Sequence, residues 1–373
     1  YERPLVDESI DRMVRKVYDQ LSWASTHDEL TGLLGRREFE RMLDQSDLEQ
    51  TIRGKTVCIK MHVGGNLGFT TIHPLFVRML VDKVREAGAA DVFVADCNTK
   101  GCERRGYTEK TVGCPIVNLF REDRPELVSE PIGFRHLDEA LISQEVLQAD
   151  VMLVFSHVKG HGACGFGGAC KNIAMGVVPG KTRGKMHSLE GGIEWDAKKC
   201  TRCGKCIEEC PNDANKFDED GNYSIFFHNC TYCQHCIMVC PTGSLYLTDR
   251  TFEDFQEGMA RVVSAVVNRM GRENMFYVNM LLDITIYCDC WGMSTPALVP
   301  DVGVIAGRDA AAVDRASLDL IKSENLLQNG LPDGKKLGEG EHLFEQVHGK
   351  DPYLITELLE GGERPGYTLT TVE

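Results

Sequence analysis

Short apolar runs alternate with amphipathic segments along most of the chain. The runs that predict strands are KTVCIKMHV (55–63), DVFVAD (91–96), VMLVFSHV (151–158), NMFYVNML (274–281) and DVGVIAG (301–307). The segment HPLFVRMLVDKVREAGA (73–89) has apolar residues at helical spacing, with Pro74 near its start and Gly88 near its end. This strand–helix–strand order predicts parallel strands joined by a right-handed crossover.

Other segments have helical periodicity. They cover residues 9–24, 36–45, 134–149 and 251–271, the last closed by Gly271. Asp309 is the expected N-cap of a further helix over 310–321. Residues 98–134 are rich in Gly, Arg and Cys, and we expect them to be irregular. The pattern predicts an α/β fold: an open, mostly parallel sheet with helices, interrupted by an inserted cysteine-rich α+β module.

The same pattern divides the 373 residues into parts. The predicted parts are an N-terminal helical segment (1–54), the first part of the α/β domain (55–190), the inserted module (191–250), and the second part of the α/β domain with C-terminal helices (251–373). We expect one sheet to be built from the segments on both sides of the module.

Composition narrows the classes of function. A formal net charge of −15 argues against nucleic acid or an anionic membrane as the main partner. No apolar run reaches the roughly 18 residues of a membrane span, and the first residues lack the order of a signal peptide. The 16 cysteines fit a reducing, oxygen-poor cytoplasm better than a disulfide framework. A cytoplasmic protein is therefore expected.

Half of the cysteines form two copies of one motif, C-x2-C-x2-C-x3-C-P. CTRCGKCIEECP supplies Cys200, Cys203, Cys206 and Cys210 before Pro211, and CTYCQHCIMVCP supplies Cys230, Cys233, Cys236 and Cys240 before Pro241. This spacing is typical of bacterial ferredoxins with two [4Fe–4S] clusters. Between the two runs, KFDEDGNYSIFF predicts a small hairpin that turns at Asp220 and Gly221.

In this motif the fourth cysteine of each run reaches the cluster held by the other run. The predicted ligands of one cluster are Cys200, Cys203, Cys206 and Cys240, and those of the other are Cys230, Cys233, Cys236 and Cys210. A pair of zinc sites is the alternative, but four-cysteine zinc sites usually pair two distant C-x2-C knuckles. The module is expected to transfer single electrons. Each predicted cluster has four cysteine ligands, so neither has an open iron for catalysis.

The segments that flank the module resemble a known family. Residues 60–99, 156–176, 287–292 and 299–320 together are similar to the iron–sulfur centre proteins of the domain-of-unknown-function 362 family, in the form with a two-cluster ferredoxin insert. The resemblance covers residues 55–325. It implies an α/β fold, an anaerobic or facultative prokaryotic setting and no assigned activity. The family usually has no cysteine at the positions of Cys164 and Cys170.

The glycine-rich stretch SHVKGHGACGFGGACKN (156–172) follows a predicted strand and contains one G-x-G-x-x-G. A dinucleotide site would also need a long helix and a second strand ending in an acidic residue, and these do not follow. Loops at the carboxyl ends of strands in open α/β sheets commonly bind ligands. The candidate site residues here are His157, Lys159, His161 and Lys171. The alternative is a structural turn with ordinary hydrogen-bonding histidines.

The stretch YCDCWG adds Cys288 and Cys290 to the candidates. In an extended segment both thiols would face one side and Asp289 the other. Such a pair can chelate a soft metal or form a redox disulfide, and two buried free thiols are the alternative. His62, at the end of the first strand, is expected at the same sheet edge, and His73 at the next helix start is a further candidate. The candidate occupants are an additional metal, a flavin or an organic substrate.

Two shorter resemblances concern single segments. Residues 165–187 are similar to the segment of lactate-racemase-type proteins that holds a nickel-pincer nucleotide through a lysine and a following histidine, which correspond to Lys171 and His187. Residues 24–45 resemble the opening helix motif of GGDEF-type diguanylate cyclases. The catalytic loop and metal carboxylates of those cyclases do not follow, so we expect no cyclase activity.

These observations leave two main hypotheses. In the first, the chain is an iron–sulfur oxidoreductase in which two clusters exchange electrons with a site in the α/β domain, where a small-molecule substrate reacts. In the second, it is an electron carrier, or a maturation or docking subunit of a larger redox enzyme, with no catalytic site of its own. Both require a redox partner protein. A third hypothesis is that the clusters only stabilise the fold.

Overall fold

The computed structural model describes residues 36–64, 68–120, 126–210, 213–226, 230, 234–249, 251–291, 294–332 and 335–371. The predicted helix over 9–24 and the cyclase-like residues 24–35 lie outside this part of the chain. The strands are β1 (Thr56–Met61), β2 (Asp91–Asp96), β3 (Ile116–Asn118), β4 (Leu127–Phe134), β5 (Leu137–Ser143), β6 (Val151–His157), β7 (Lys159–His161), β8 (Gly165–Gly167), β9 (Ile193–Trp195), β10 (Asn215–Phe217), β11 (Tyr223–Ile225), β12 (Leu245–Leu247), β13 (Met275–Leu281) and β14 (Gly303–Gly307).

The helices are mostly short. They are α1 (Arg36–Gln45), α2 (Leu48–Ile52), α3 (Pro74–Glu86), α4 (Glu109–Val112), α5 (Gln144–Leu147), α6 (Ala169–Gly176), α7 (Gly180–His187), α8 (Lys205–Glu208), α9 (His235–Met238), α10 (Phe252–Met270), α11 (Ala310–Leu320), α12 (Leu343–His348) and α13 (Leu354–Leu359). Among these helices of the described residues, none is long and apolar enough to cross a membrane.

A six-stranded sheet forms the centre of the fold, in the order β14–β13–β6–β1–β2–β3. All neighbouring strands are parallel except β13 and β14, which are antiparallel. Strands from both sides of the cysteine-rich module lie next to each other, because β13 pairs with β6. The prediction of an α/β fold with an open, mostly parallel sheet is confirmed.

Helices cover both faces of this sheet. Val57 and Ile59 of β1 pack on one face with apolar residues of α1 and α3. Cys58, between them, points to the opposite face and packs in the cluster that includes residues of α6, α10 and α11. Successive residues of a strand point to alternate faces of the sheet. A strand that is buried on both faces therefore appears in the sequence as a continuous apolar run.

Several predicted elements have the expected bounds. The strand and helix predictions over residues 55–96 correspond to β1, α3 and β2, and those over 251–307 correspond to α10, β13 and β14. Asp309 caps α11 as expected, because its side chain accepts a hydrogen bond from the Ala312 N–H. Helix α10 ends at Gly271, and its first turn has a capping box formed by Thr251 and Asp254.

The helix predicted over residues 134–149 is wrong. Residues 137–143 form β5, which pairs antiparallel with β4, and only the four residues of α5 are helical. Two residues, Arg135 and His136, join these strands, and Arg135 has a φ of 54°. This turn lacks the Asn-Gly or Asp-Gly pair that signals a two-residue hairpin. The strand β4 also corrects the expectation that residues 98–134 are irregular throughout.

The inserted module has two small antiparallel pairs, β9 with β12 and β10 with β11. The second pair is the predicted hairpin, and Gly221 in its turn has a φ of 77°. Each cysteine run supplies a short helix, α8 with Cys206 and α9 with Cys236. Ile193, Cys236 and Leu245 form the small apolar centre of the module.

Candidate functional site

A cavity of about 250 Å³ opens at the carboxyl ends of β1, β2 and β6, between them and the glycine-rich loop. Its charged or titratable lining residues include Lys60, His62, Asp96, Lys159, Lys171 and Arg183. The parallel strands point their carboxyl ends at one edge, which is where open α/β sheets bind ligands. The cavity is hereafter called the main pocket.

Asp96, at the end of β2, organises one wall of the main pocket. Lys60 of β1 is fully buried, and its Nζ donates to Asp96 Oδ1 at 3.0 Å and to Asn172 Oδ1 at 2.8 Å. His62 Nδ1 lies 3.0 Å from Asp96 Oδ2. Burial alone would raise the pKa of the Asp96 carboxyl, but Lys60 and His62 outweigh it and hold this pKa below its usual value.

His62 is positioned for chemistry by this carboxylate. Because Nδ1 faces Asp96, the ring donates there and leaves Nε2 as the acceptor. His62 Nε2 is buried and has no hydrogen-bond partner among the described residues. It lines the main pocket, so it can accept a proton from a bound molecule or bind a metal. The predicted place of His62 at the sheet edge is confirmed.

His157 makes the ordinary hydrogen bonds that the sequence left open as the alternative to ligand binding. Its Nδ1 lies 2.8 Å from Asp289 Oδ2, and its Nε2 lies 2.9 Å from the Leu282 carbonyl oxygen. Both ring nitrogens therefore lie within hydrogen-bond distance of protein oxygen atoms. Lys159 Nζ lies 3.2 Å from the same Asp289 oxygen and donates to the His157 carbonyl at 2.6 Å. This buried network holds the glycine-rich loop and leaves neither His157 nitrogen available as a base.

The expectation for residues 288–290 is wrong in two respects. The segment is not extended, because Asp289–Trp291 form a 3₁₀ turn. Cys288 and Cys290 still come together, and with His161 they form a group whose donor atoms all lie within 4.8 Å of one another. Asp289 does not point away from the site, since it bonds His157 beside the pocket.

Lys171 lies next to this thiol pair. Its Nζ donates to Cys288 Sγ at 3.6 Å. Burial works against the Lys171 ammonium, but Cys288 and Cys290 outweigh it and raise the Lys171 pKa. For Cys288, the hydrogen bond with Cys290 is the main cause that lowers the pKa well below its usual value, and Lys171 acts in the same direction against burial. Cys288 is therefore the more acidic thiol of the pair, and the same hydrogen bond together with burial raises the pKa of Cys290.

The remaining sequence candidates differ in whether they line the main pocket. His187 lines the main pocket together with Lys171, and its Nδ1 lies 2.6 Å from Glu190 Oε1. His73 does not belong to the pocket, because its ring caps α3 by accepting from the Leu75 N–H. Burial raises the pKa of the Cys164 thiol to about 12 and that of Cys170 well above its usual value. These two cysteines are therefore interior thiols.

A second, smaller cavity lies in the inserted module, with a volume of about 20 Å³. Its wall includes four cysteines, Cys200, Cys203, Cys206 and Cys240. These are the first three cysteines of the first run and the last cysteine of the second run. The four residues that the crossed pairing of the motif would assign to one cluster therefore line one space.

Donor groups surround these sulfur atoms. Ser244 Oγ lies 3.1 Å from Cys240 Sγ, and the Arg202 N–H donates to Cys200 Sγ. Burial opposes the effect, but hydrogen bonds from Ser244 and nearby backbone groups lower the pKa of Cys240 to about 6. Burial opposes the effect at Cys200 as well, but the Trp195 indole N–H in the cavity wall is the foremost of the hydrogen-bond donors that lower the pKa of this thiol. Such an environment suits anionic sulfur.

The other predicted ligand set is described in part. Cys210, Cys230 and Cys236 are all reduced and buried or half-buried, and Cys233 lies outside the described residues. Cys210 Sγ accepts a hydrogen bond from the Ala214 N–H at 3.2 Å.

Cys230 connects the module to the main pocket. Its side chain packs against both the module centre and the core of the α/β domain. Its carbonyl oxygen accepts a hydrogen bond from Lys350 Nζ at 2.5 Å. The Lys350 carbonyl approaches the glycine-rich loop so closely that a Cβ on Gly165 would lie 2.8 Å from it. The neighbouring Cys164 Sγ lies 3.2 Å from His161 Nδ1, at the thiol pair.

Sequence reasoning missed part of the pocket. Lys60, Asp96 and Arg183 line it but were not among the candidates. The sequence did contain a signal for Lys60, because this charged residue interrupts an apolar strand that is buried on both faces. Asp96 ends β2 as His157 ends β6, so position at a carboxyl end would have selected it too. Arg183 lies on α7 and gave no such signal.

The model of the family described as "domain of unknown function (DUF362)" matches residues 57–319. No curated protein matches the chain. Among solved structures, the lactate racemase apoprotein from Thermoanaerobacterium thermosaccharolyticum is similar with a TM-score of 0.38 and 14% identity, over 74% of this chain and 52% of that one.

A protein from Thermotoga maritima, solved as a structural genomics target, is similar with a TM-score of 0.37 and 11% identity. That match covers 66% of this chain and 51% of the other, so the chain spans about half the length of each of these structures. The family match, in contrast, extends over most of the 373 residues, from β1 to the end of α11. The chain belongs to the domain-of-unknown-function 362 family.

Proposed function

We propose that the chain is an iron–sulfur oxidoreductase in which two [4Fe–4S] clusters of the inserted module exchange electrons with the main pocket. The observation that carries this proposal is the cavity of the module. Its wall contains the four cysteines that the crossed ferredoxin pattern assigns to one cluster, although Cys240 is distant in sequence from the other three.

The residues around this cavity fit such a group. A [4Fe–4S] cluster supplies one-electron transfer when it is bound by four thiolates. Hydrogen bonds from Ser244 and the backbone outweigh burial and lower the pKa of Cys240 to about 6. This favours the thiolate form that a cluster ligand needs. The buried Trp195 N–H gives the wall one more donor. Hydrogen bonds to the sulfurs also tune the reduction potential of such clusters.

The contacts of Cys230 support a link to the pocket. They run from the Cys230 carbonyl to Lys350, from the Lys350 backbone to Gly165, and from Cys164 to His161. His161 Nε2 lies 4.0 Å from Cys290 Sγ. A packed and hydrogen-bonded path therefore joins a predicted cluster ligand to the thiols of the main pocket.

The charges of the pocket favour an anionic small molecule as substrate. Lys60 is paired with Asp96, Lys159 with Asp289, and Lys171 with the Cys288 thiolate. Arg183 Nη1 donates to Cys97 Sγ at 2.9 Å, and no carboxylate among the described residues forms an ion pair with it. An uncompensated guanidinium in the same pocket as His62 would bind a carboxylate or phosphate group.

The test is the iron and sulfide content of variants purified without oxygen. Cys206→Ser and Cys236→Ser each remove one ligand of a different cluster, and each should lose about half of the iron and sulfide. Cys114→Ser is the matched control, because Cys114 is a buried thiol in the core of the α/β domain. This control should retain the full content. Undiminished iron in both module variants would overturn the proposal.

A further inference from the structure

Cys288 and Cys290 are close enough to react with each other. The 3₁₀ turn Asp289–Trp291 brings their sulfur atoms within 4.8 Å. A disulfide needs the sulfurs at about 2.0 Å, so the two side chains must approach further to form one. Cys288 is buried, and Cys290 is exposed at the pocket.

The neighbouring histidine favours thiol chemistry over metal binding. His161 Nδ1 accepts a hydrogen bond from the Ala163 N–H at 3.2 Å. A neutral ring with an acceptor at Nδ1 carries its proton on Nε2. That nitrogen faces Cys290 at 4.0 Å, so it presents a proton to the sulfur. A metal ion would need the lone pair at this position.

Lys171 sets the charge state of the pair. Its buried ammonium donates to Cys288 Sγ at 3.6 Å, and it stabilises a thiolate there. Cys290 supplies the thiol. One thiolate and one thiol in contact are the reactants from which a disulfide forms, with the thiol losing its proton. His62 Nε2, an acceptor without a partner among the described residues, lines the same pocket.

We propose that Cys288 and Cys290 form the two-electron redox couple of the main pocket. The step balances: the Cys288 thiolate and the Cys290 thiol give one S–S bond, one proton and two electrons. This inference rests on the proposed function, because two one-electron clusters accept these electrons one each. In the reverse direction two electrons and one proton restore the thiolate and the thiol.

The test is a thiol–disulfide titration of the full chain. Iron-loaded and iron-free protein are equilibrated without oxygen in glutathione buffers of increasing oxidised fraction, quenched with acid and alkylated. Mass spectrometry then reports the peptide that contains residues 288–290. We expect this peptide to change from two alkylated cysteines to none in one two-electron transition, because both sulfurs enter one bond.

Two variants give the controls. Cys290→Ser should leave Cys288 unable to form the internal disulfide, so its peptide keeps an alkylated cysteine or gains glutathione. Cys97→Ser should leave the transition unchanged, because Cys97 lines the same pocket but lies outside the close thiol group. Retention of both alkylated cysteines in wild type across the whole series would overturn the inference.

Metal binding is the competing outcome. Zinc or nickel bound in a one-to-one ratio by wild type and lost in Cys288→Ser would also overturn the couple. The proposed function fails separately, since its test is the iron and sulfide content of the module. If the chain purified without oxygen contains no iron and takes up none on reconstitution, an internal disulfide that still titrates would support the couple and reject the clusters as its electron acceptors.

Discussion

Asp96 shows how one side chain arranges the pocket. Its two carboxylate oxygens accept four hydrogen bonds, from Lys60 Nζ, His62 Nδ1 and the N–H groups of Val63 and Cys97. A carboxylate buried this deeply persists only when it is paired and fully hydrogen-bonded. The bond to Nδ1 fixes the His62 ring at the edge of the main pocket.

We predict that Asp96→Asn lowers the free energy of unfolding by about 3–5 kcal/mol at pH 7, because it leaves the buried Lys60 charge without its partner. The folded pKa of Asp96 is lowered, so its contribution is complete above the unfolded value of about 3.9 and is lost as the pH falls further. Urea denaturation from pH 7 to pH 3 should show the difference from wild type shrinking below about pH 4.

The control for this prediction is Asp82→Asn. Asp82 forms an i,i+4 ion pair with Arg78, and both side chains are nearly half exposed. Such a pair contributes less than about 1 kcal/mol. A loss of equal size in both variants would contradict the role assigned to Asp96.

At the scale of elements, glycines decide how closely the loop packs. A Cβ on Gly160 in β7 would lie 2.4 Å from the Ile286 carbonyl oxygen and 2.7 Å from His348 Nε2. The backbone of the glycine-rich loop can therefore approach Ile286 and His348 this closely only because residue 160 has no side chain. The G-x-G-x-x-G of the sequence serves packing at this position.

We predict that Gly160→Ala destabilises the fold by about 1–3 kcal/mol, because the added methyl group displaces β7 from the segment at Ile286. Gly184→Ala is the matched change in α7, where a Cβ would meet nothing within 4 Å. It should stabilise the protein by about 0.5–1 kcal/mol, as alanine favours helices. Thermal unfolding of both variants measures the difference, and equal effects would refute the packing argument.

The sequence predicted those elements whose pattern of apolar residues fits either a strand or a helix but not both. The apolar runs of β1, β2, β6 and β13 and the long amphipathic helix α10 were identified because burial sets their periodicity. The strand β5 was missed because Leu137, Ala140 and Leu141 also fit helical spacing. Its pairing with β4 depends on a turn with Arg135 in the left-handed region, which the sequence does not signal.

The candidate site was only partly predictable for the same reason. Residues of the glycine-rich loop, His62 and the two module runs stand out by residue type and spacing. The contact between Lys60 and Asn172 joins residues 112 positions apart, and that between His157 and Asp289 joins residues 132 apart. Such partners follow from the order of strands in the sheet, which the sequence alone did not determine.

At the scale of the whole molecule, Lys350 holds the module against the α/β domain. Its Nζ donates to the Cys230 carbonyl and lies 4.1 Å from the centre of the Phe252 ring. Burial lowers the pKa of Lys350 to about 8. The hydrogen bond to the Cys230 carbonyl and the contact with the Phe252 ring offset the free-energy cost of burying this amine.

We predict that Lys350→Met loosens the module and leaves the central sheet intact, because the Cys230 carbonyl loses its donor. Hydrogen–deuterium exchange should become at least several-fold faster around Cys230 and stay unchanged in β1 and β6. Lys322→Met, at an exposed position, should alter neither. Exchange that rises equally in the module and the sheet would contradict a local role for Lys350.

The most direct test of the account is the iron and acid-labile sulfide content of the wild-type chain, purified without oxygen. Two [4Fe–4S] clusters predict about eight irons and eight sulfides per chain, together with an electron paramagnetic resonance signal that appears on reduction. Zinc bound without sulfide, or a chain free of both iron and sulfide after anaerobic reconstitution, would contradict it.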